Sequence, residues 1–363
     1  MLKIPHIHEG KLIVVEESSS ILKGNPLNDP VWRKTAVWLP PSYASSSNRR
    51  YPVLYSLAGF MSAGMGQLAW RGFDENLVER AARLIYEKKM GDVIIVFPDC
   101  FTSLGGNQYI NSSALGRYAD YLIKEIIPLV DRSFRTLAAR NHRGVFGHSS
   151  GGYGALFHAM KYPHIWGAAA SHAGDMGFET CYLPGWPRTL TILSDYCRPE
   201  RREGKVRAPK PLSDEERGRD DGRVRRFIAA MRQKNPNFDE GHALMDVAMA
   251  ATYDPDPDAP NGFRLPFDLE TGELLKERWR QWQRHDPIHM ATKHVEALHS
   301  LRALYFDCGW RDQYHMHYGA RRLAQTLTQH GVEHRYEVFN GTHSQTSYRY
   351  DVSLPFLYRA LKP

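Results

Sequence analysis

A chain of 363 residues with 42% hydrophobic and 24% charged residues can bury a core, and its composition excludes a disordered polyelectrolyte. Its longest strongly apolar run, Val93 to Phe97, falls far short of the roughly 18 residues a membrane-spanning helix needs, so a transmembrane protein is excluded. The formal net charge is +7, but residues 198–226 hold 11 Lys/Arg against 7 Asp/Glu with almost no aromatics, which reads as a solvated surface segment and not as a nucleic-acid groove.

The amino-terminal MLKIPHIHEGKLIVVEE has neither a continuous apolar stretch nor a small-residue cleavage site, so a cytoplasmic protein without a signal peptide is expected. GKLIVVEESS and KTAVWLPPSY are β-rich runs, and YPVLYSLAGF is an apolar run that ends at a glycine. In FDENLVERAARLIYEKK, Leu77, Ala81 and Leu84 recur at helical spacing, and DVIIVFPD follows as a short buried strand. Leu115, Tyr118, Leu122 and Ile126 make one face of a helix predicted to end near Pro128. The strand HRGVFG, the helix GGYGALFHAMKYP and the strand WGAAASHAG come next. Short buried strands alternating with amphipathic helices imply an α/β fold, a mostly parallel central sheet flanked by helices on both faces.

From Asp175 to Ala303 the alternation stops, and connections inside an α/β core are usually only about 2–6 residues long. This stretch is expected to be a mainly helical insertion at 179–302, leaving 1–178 and 303–363 as one catalytic core. Within it, FDEGHALMDVAMAA and LLKERWRQWQR read as helices, with Leu275, Trp279 and Trp282 on one stripe, and Asp286 is placed to cap a helix that has Pro287 in its first turn. The α/β rhythm resumes with the strand LRALYFDCG, a helix through ARRLAQTLTQHG, the strand HRYEVFN and a last helix ending at Leu361. The four cysteines, Cys100, Cys181, Cys197 and Cys308, include no C-x-x-C pair and read as inert thiols; a Cys181 to Cys197 bridge is the one pairing that nearness in sequence suggests.

Gly147-His148-Ser149-Ser150-Gly151 is a G-x-S-x-G between a predicted strand and a predicted helix, the context in which a strained turn lifts a serine hydroxyl above the sheet. Gly147 and Gly151 would let strand and helix approach without a Cβ clash. A serine needs a base, and the base needs an orienting acid. Past the next strands lie Asp312, in GWRDQYH, and His343, in GTHS, both where open α/β sheets gather active sites. Asp307, at the strand end, is the alternative acid. Oxyanion donors would be the backbone N–H groups of Ser150 and of Phe60 in Leu57-Ala58-Gly59-Phe60.

Trp70, Phe101, Tyr109, Trp186, Trp310 and Tyr314 fall in loops placed to line a substrate pocket, with Trp70, Trp186 and Trp310 taken as its walls. No metal site is expected, because His315-x-His317 puts two histidines on a helix where they do not face each other. His148, His158 and His172 read as packing or supporting groups, and Trp279 and Trp282 as the insertion's own core.

These residues resemble a known family, the esterase branch of the α/β-hydrolases that includes S-formylglutathione hydrolases, feruloyl esterases, enterochelin esterases and mycolyltransferases. The resemblance rests on VWLPPSY…RRYPVLYSLAGF, DVIIVFPD, ADYLIKEIIPLVDRSF, GVFGHSSGGYGAL, DCGWRD and FNGTHS, in that order. It departs from many members in having Ala58-Gly59 where they carry His-Gly, and in the large insertion. The resemblance implies a Ser149, Asp312, His343 triad, with Ser150 and Phe60 as oxyanion donors. The expectation is a serine esterase for a small-molecule ester, working through an acyl-enzyme without a cofactor and without nucleic-acid or membrane partners; a homo-oligomer is left open. The alternatives are an acyltransferase with the same triad and a catalytically silent binding protein of this fold.

Overall fold

The computed structural model describes residues 10–197 and 220–363. Most of the charged stretch 198–226, and residues 1–9 of the amino-terminal reading, therefore lie outside the described residues. The strands are β1 (Lys11–Ser18), β2 (Trp32–Leu39), β3 (Val53–Leu57), β4 (Ile94–Phe97), a short hairpin of β5 (Asn111–Ser112) and β6 (Gly116–Arg117), then β7 (Arg143–His148), β8 (Ala168–His172), β9 (Ala303–Gly309) and β10 (Arg335–Phe339). Eight of them form one sheet in the order β1-β2-β4-β3-β7-β8-β9-β10. β1, β2 and β4 pair antiparallel in turn, and every pair from β4 through β10 is parallel. β3, β4 and β8 are buried on both faces, which is why they read as unbroken apolar runs. β1 alternates instead, as an edge strand with Leu12 and Val14 outward.

Side-chain alternation along the strands divides the core in two. On one face, α1 (Leu77–Tyr86) lays Ala81 and Leu84 over Leu54, Ile95 and Phe146. On the other, Val53, Tyr55, Val145 and Ala169 join a larger cluster that continues into the segment between β8 and β9. The helix expected to end near Pro128 runs on. It starts at Tyr118–Asp120, passes through a π-helical Tyr121–Ile126 and continues as α2 (Ile127–Ser133), while Leu115 lies in the hairpin loop. Pro128 falls in the first turn of α2, and the widened π turn just before it accommodates the missing N–H and the ring that would otherwise crowd the preceding turn.

Behind β7 runs α3 (Ser150–Lys161). Between β8 and β9 the described residues contribute no strand to the sheet and several helices, among them α4 (Trp186–Ser194), α5 (Arg223–Met231), α6 (Phe238–Tyr253), α7 (Lys276–Gln283) and α8 (Pro287–Ala291). Trp279 and Trp282 are buried, as their stripe predicts. Asp286 caps α8 by accepting from the Ile288 amide at 3.0 Å, and it also accepts from Gly177 (3.0 Å) and Phe178 (2.7 Å). One buried carboxylate thus ties the start of the segment to its end. α9 (Val295–His299) leads into β9; α10 (Met316–Gln329) and α11 (Tyr350–Leu361) complete the chain. No helix among the described residues is long and apolar enough to cross a membrane.

Asp246, on α6, is fully buried and accepts from the Thr189 hydroxyl of α4, while its other oxygen meets no donor among the described residues. His242 stands 4.0 Å away. Burial pushes this carboxyl up to about 7, the Thr189 hydroxyl opposing. A carboxyl raised in the folded state contributes stability that is complete below its unfolded value of 3.8 and is lost as pH rises to about 7. Asp246→Asn is therefore expected to raise the melting temperature over wild type at pH 8 and to leave it nearly unchanged at pH 4, by differential scanning fluorimetry. Equal gains at both pH values would show that ionisation of Asp246 carries no penalty.

Candidate active site

Ser149 sits between the last residue of β7 and the first of α3 with φ of +57° and ψ of −124°, a region that costs a residue with a side chain on the order of 1–3 kcal/mol. Its neighbours hold it there. The Ser149 amide donates to the His172 carbonyl at 2.9 Å, and the Tyr153 amide donates to the Ser149 carbonyl at 2.9 Å. A Cβ on Gly147 would stand 2.5 Å from the Leu57 oxygen, and one on Gly151 only 2.0 Å from it, so neither position has room for a side chain. The turn projects Ser149 beyond the C-terminal ends of the parallel strands.

Two segments of backbone close around it. Ser150 opens α3, where no helix carbonyl is available to its N–H. Phe60 follows Gly59, whose Cβ position lies 3.2 Å from the His148 oxygen and 3.5 Å from Ser149 Cβ, so the loop after β3 presses against the turn. That loop is held from behind by the Tyr109 hydroxyl, which donates to the Ala58 carbonyl at 2.6 Å. Ala58-Gly59 thus forms a fixed loop without a histidine at its first position. The Phe60 ring lies where a Cβ on Gly105, itself at φ +100°, would come within 2.6 Å.

His343 arrives from the loop after β10 and Asp312 from the loop after β9. Nδ1 of His343 is 2.7 Å from Oδ2 of Asp312. The other Asp312 oxygen accepts from the Tyr314 amide at 2.9 Å. Burial resists the charge on Asp312, but the His343 hydrogen bond and charge, followed by the Tyr314 amide, outweigh it and hold the carboxyl below its ordinary range. A charged carboxylate only accepts, so the proton of neutral His343 sits on Nδ1 and Nε2 is left as the acceptor. The His343 backbone is held at both ends: its amide donates to Gln313 Oε1 at 3.0 Å, and its carbonyl accepts from Nε2 of His148 at 2.9 Å. Burial and the neighbouring His343 and His172 rings bring His148 down to about 3, so it stays a neutral donor.

Asp307 turns to a different partner set. It pairs with Nδ1 of His172 (2.8 Å), the Tyr305 hydroxyl (2.7 Å) and Nε of Arg349 (2.8 Å), and Nε2 of His172 reaches the Ser353 hydroxyl of α11 at 2.8 Å. Burial resists its charge, and these donors overcome it and hold Asp307 below its ordinary range. Of the two candidate acids, the structure brings Asp312 to His343.

Ser149, His148, His343 and Phe60 line one cavity of about 370 Å³. The three expected tryptophan walls do not. Trp186 is wholly buried, tilted against Phe267 at 4.3 Å and edge-on to Trp282 at 5.7 Å, inside the helical segment. Trp70 and Trp310 stand 73% and 50% exposed, outside the cavity lining. Of the other aromatics proposed for the pocket, Tyr314 does line it and meets the His343 ring edge-on at 4.8 Å. Met61 and Met316 line it too, and a further wall comes from a place the sequence does not mark as a pocket, the start of α6, with Phe238, His242 and Met245. The visible signal was Asn237-Phe238-Asp239-Glu240: the Asn237 side chain and Glu240 form a capping box, which leaves the next aromatic, Phe238, at the helix mouth and 66% exposed. His315 and His317 have ring centroids 6.3 Å apart, and among the described residues no group of three or more His, Cys, Asp or Glu is arranged to hold a metal. The described residues include all four cysteines, and Cys181 and Cys197 are not bridged.

The sequence model of a family described as "Putative esterase" matches residues 31–354. An esterase of Mycobacterium tuberculosis is 36% identical over 144 residues, 38% of this chain and 28% of that protein; this chain therefore spans little more than a quarter of that relative's length. Among solved structures, a ferulic acid esterase superposes with a TM-score of 0.58 at 16% identity, covering 96% of this chain and 98% of its own. An S-formylglutathione hydrolase from Agrobacterium tumefaciens gives 0.54 at 15% identity, covering 98% and 96%. At such identities the likeness is one of fold.

The buried cluster around Asp307 has a mechanical consequence. Asp307→Asn removes one of the two carboxylates that hold Arg349 and is expected to cost about 3 kcal/mol of stability at pH 7, read from the urea midpoint. An unmoved midpoint would show that the cluster bears no weight.

Proposed function

The chain belongs to the esterase family of the α/β-hydrolase superfamily, and from that premise we propose that it hydrolyses carboxylic esters through an acyl-enzyme, with Ser149 as nucleophile, His343 as base and Asp312 as orienting acid. The observation that carries this reading is the 2.7 Å bond from His343 to a buried, charged Asp312, beside a serine held in a strained turn of the same cavity. As Ser149 Oγ attacks the ester carbonyl, its proton passes to Nε2 of His343, and the imidazolium that forms is stabilised by Asp312. The oxyanion is met by the N–H groups of Ser150 and Phe60. The carbon–oxygen bond to the alcohol then breaks, and the departing oxygen takes the proton from His343. In the second half, water attacks the acyl-enzyme by the same proton route and frees the acid.

In this reading the segment 179–302 is a cap on the catalytic core, and α6 supplies its wall of the cavity through Phe238, His242 and Met245. The tie at Asp286 supports it, because the two ends of the segment meet at one carboxylate while its middle reaches over the site.

A fluorophosphonate probe is expected to label folded protein at Ser149 and to leave Ser149→Ala unlabelled. Asp312→Asn should lower kcat about 10³- to 10⁴-fold with little change in melting temperature, since it keeps the shape and loses the tautomer control of His343. Absence of an adduct on folded protein would remove the nucleophile assignment, and a full-rate Asp312→Asn would remove that of the acid.

A further inference from the structure

Two cavities meet at a seam formed by Gly59, Phe60, His148 and His343. The first, of about 370 Å³, contains Ser149 and is walled by Met61, Phe238, Met245 and Met316. The second, of about 290 Å³, also touches His343 and does not reach Ser149. Its walls are the more polar of the two, with Gln67, Arg71, Ser344, Thr346 and Ser347 standing beside Leu57, Leu77 and Tyr350. From this division we propose that the substrate joins a compact apolar acyl group to a hydrophilic, hydroxyl-bearing alcohol, the acyl group lying in the first cavity and the alcohol in the second. The inference rests on the roles proposed above for Ser149 and His343.

The chemistry assigns the sides. The carbonyl carbon bonds to Ser149 Oγ, so the acyl group must occupy space that contains Ser149, and only the first of the two cavities does. The alcohol oxygen leaves with the proton carried by His343, so the alcohol needs space that touches His343 and need not touch Ser149. Both cavities touch His343, and with the acyl group in the first the second is the space left for the alcohol.

The walls then assign the chemical class. Three methionines and a phenylalanine around the first cavity present flexible, polarisable apolar surface, and its volume is at the small end for ligand pockets, which suits a compact acyl group. In the second cavity some polar groups are already committed. Gln67 accepts from the Ser56 hydroxyl at 2.6 Å, and Arg80 is held by Asp74, Glu75 and Asp351. Arg71 is different: it is largely exposed and its ion pair with Asp74 is a loose 3.5 Å. It can turn to hydroxyl oxygens of a bound alcohol, while an alkyl group there would strip water from these side chains and give nothing in return.

The test uses the full chain and two substrate series. One varies acyl length on p-nitrophenol; the other holds a butanoyl group constant on glycerol or on 1-propanol. The glycerol ester is expected to exceed the propyl ester about fivefold or more in kcat/KM, and Arg71→Met to remove most of that ratio while leaving the acyl-length profile in place. Met245→Trp should move the acyl optimum to shorter chains and leave the glycerol-to-propyl ratio where it was. A preference for the propyl ester, or a Met245→Trp variant that changes the alcohol ratio, would overturn the division. Fluorophosphonate labelling separates the two failures: if Ser149 labels and esters turn over without this division, the catalytic reading stands and this inference falls, whereas no labelling at Ser149 takes both.

Discussion

The carbonyl of Leu57, at the end of β3, sets the tightest steric constraint in the molecule's working half. β7 and α3 both close on it, so that a single added carbon at Gly147 or Gly151 would sit 2.5 or 2.0 Å from that oxygen. Because strand and helix come this close, the residue between them has no relaxed conformation to adopt, and Ser149 takes a positive φ. The same closeness brings the loop after β3 against the turn, and with it Phe60. Exposure of the hydroxyl, the position of the Ser150 amide and the approach of the Phe60 loop are three results of one crowded contact. Its cost is spread over the β3, β4, β7 and β8 core, whose strands are buried on both faces.

Much of this was legible in the sequence because it depends on local rules. A glycine two residues on either side of a serine, between an apolar run and a helical pattern, already states that backbones meet there. The order of elements was legible for the same reason, since buried parallel strands leave continuous apolar runs and their helices leave a periodic face. Asp307 remained open beside Asp312 in sequence, since one sits at the end of the strand and the other just past it. They part only when Arg349 and His172, from elements far apart in the chain, join Tyr305 of the same strand on Asp307. The end of the helix at Pro128 was misread because proline's local preference was weighed without the π turn that absorbs it.

The tryptophans failed for a different reason. Size and aromaticity suit a pocket wall and a core equally well, and nothing local says which. Trp186 found Phe267 and Trp282, residues of its own segment, and burying that area in a dry core is worth more than lining a solvent-filled cavity. The residues that do form the wall, Phe238 and Met245, lie about two turns apart on a helix legible as a helix but whose placement over the sheet is a tertiary fact.

Asp286 closes the long segment between β8 and β9 as a clasp closes a loop of chain. With both ends held at one carboxylate, the ordering entropy of whatever lies between them is paid within the loop, and a change in its length alters closure only logarithmically. What the sheet does require of the loop is the apolar surface that completes its own core, where Tyr253 meets Tyr153 of α3. A chain carrying this clasp can change the length of the stretch between its ends, and so exchange one face of the cavity, while the serine, histidine and aspartate keep their places on turns that follow the strands.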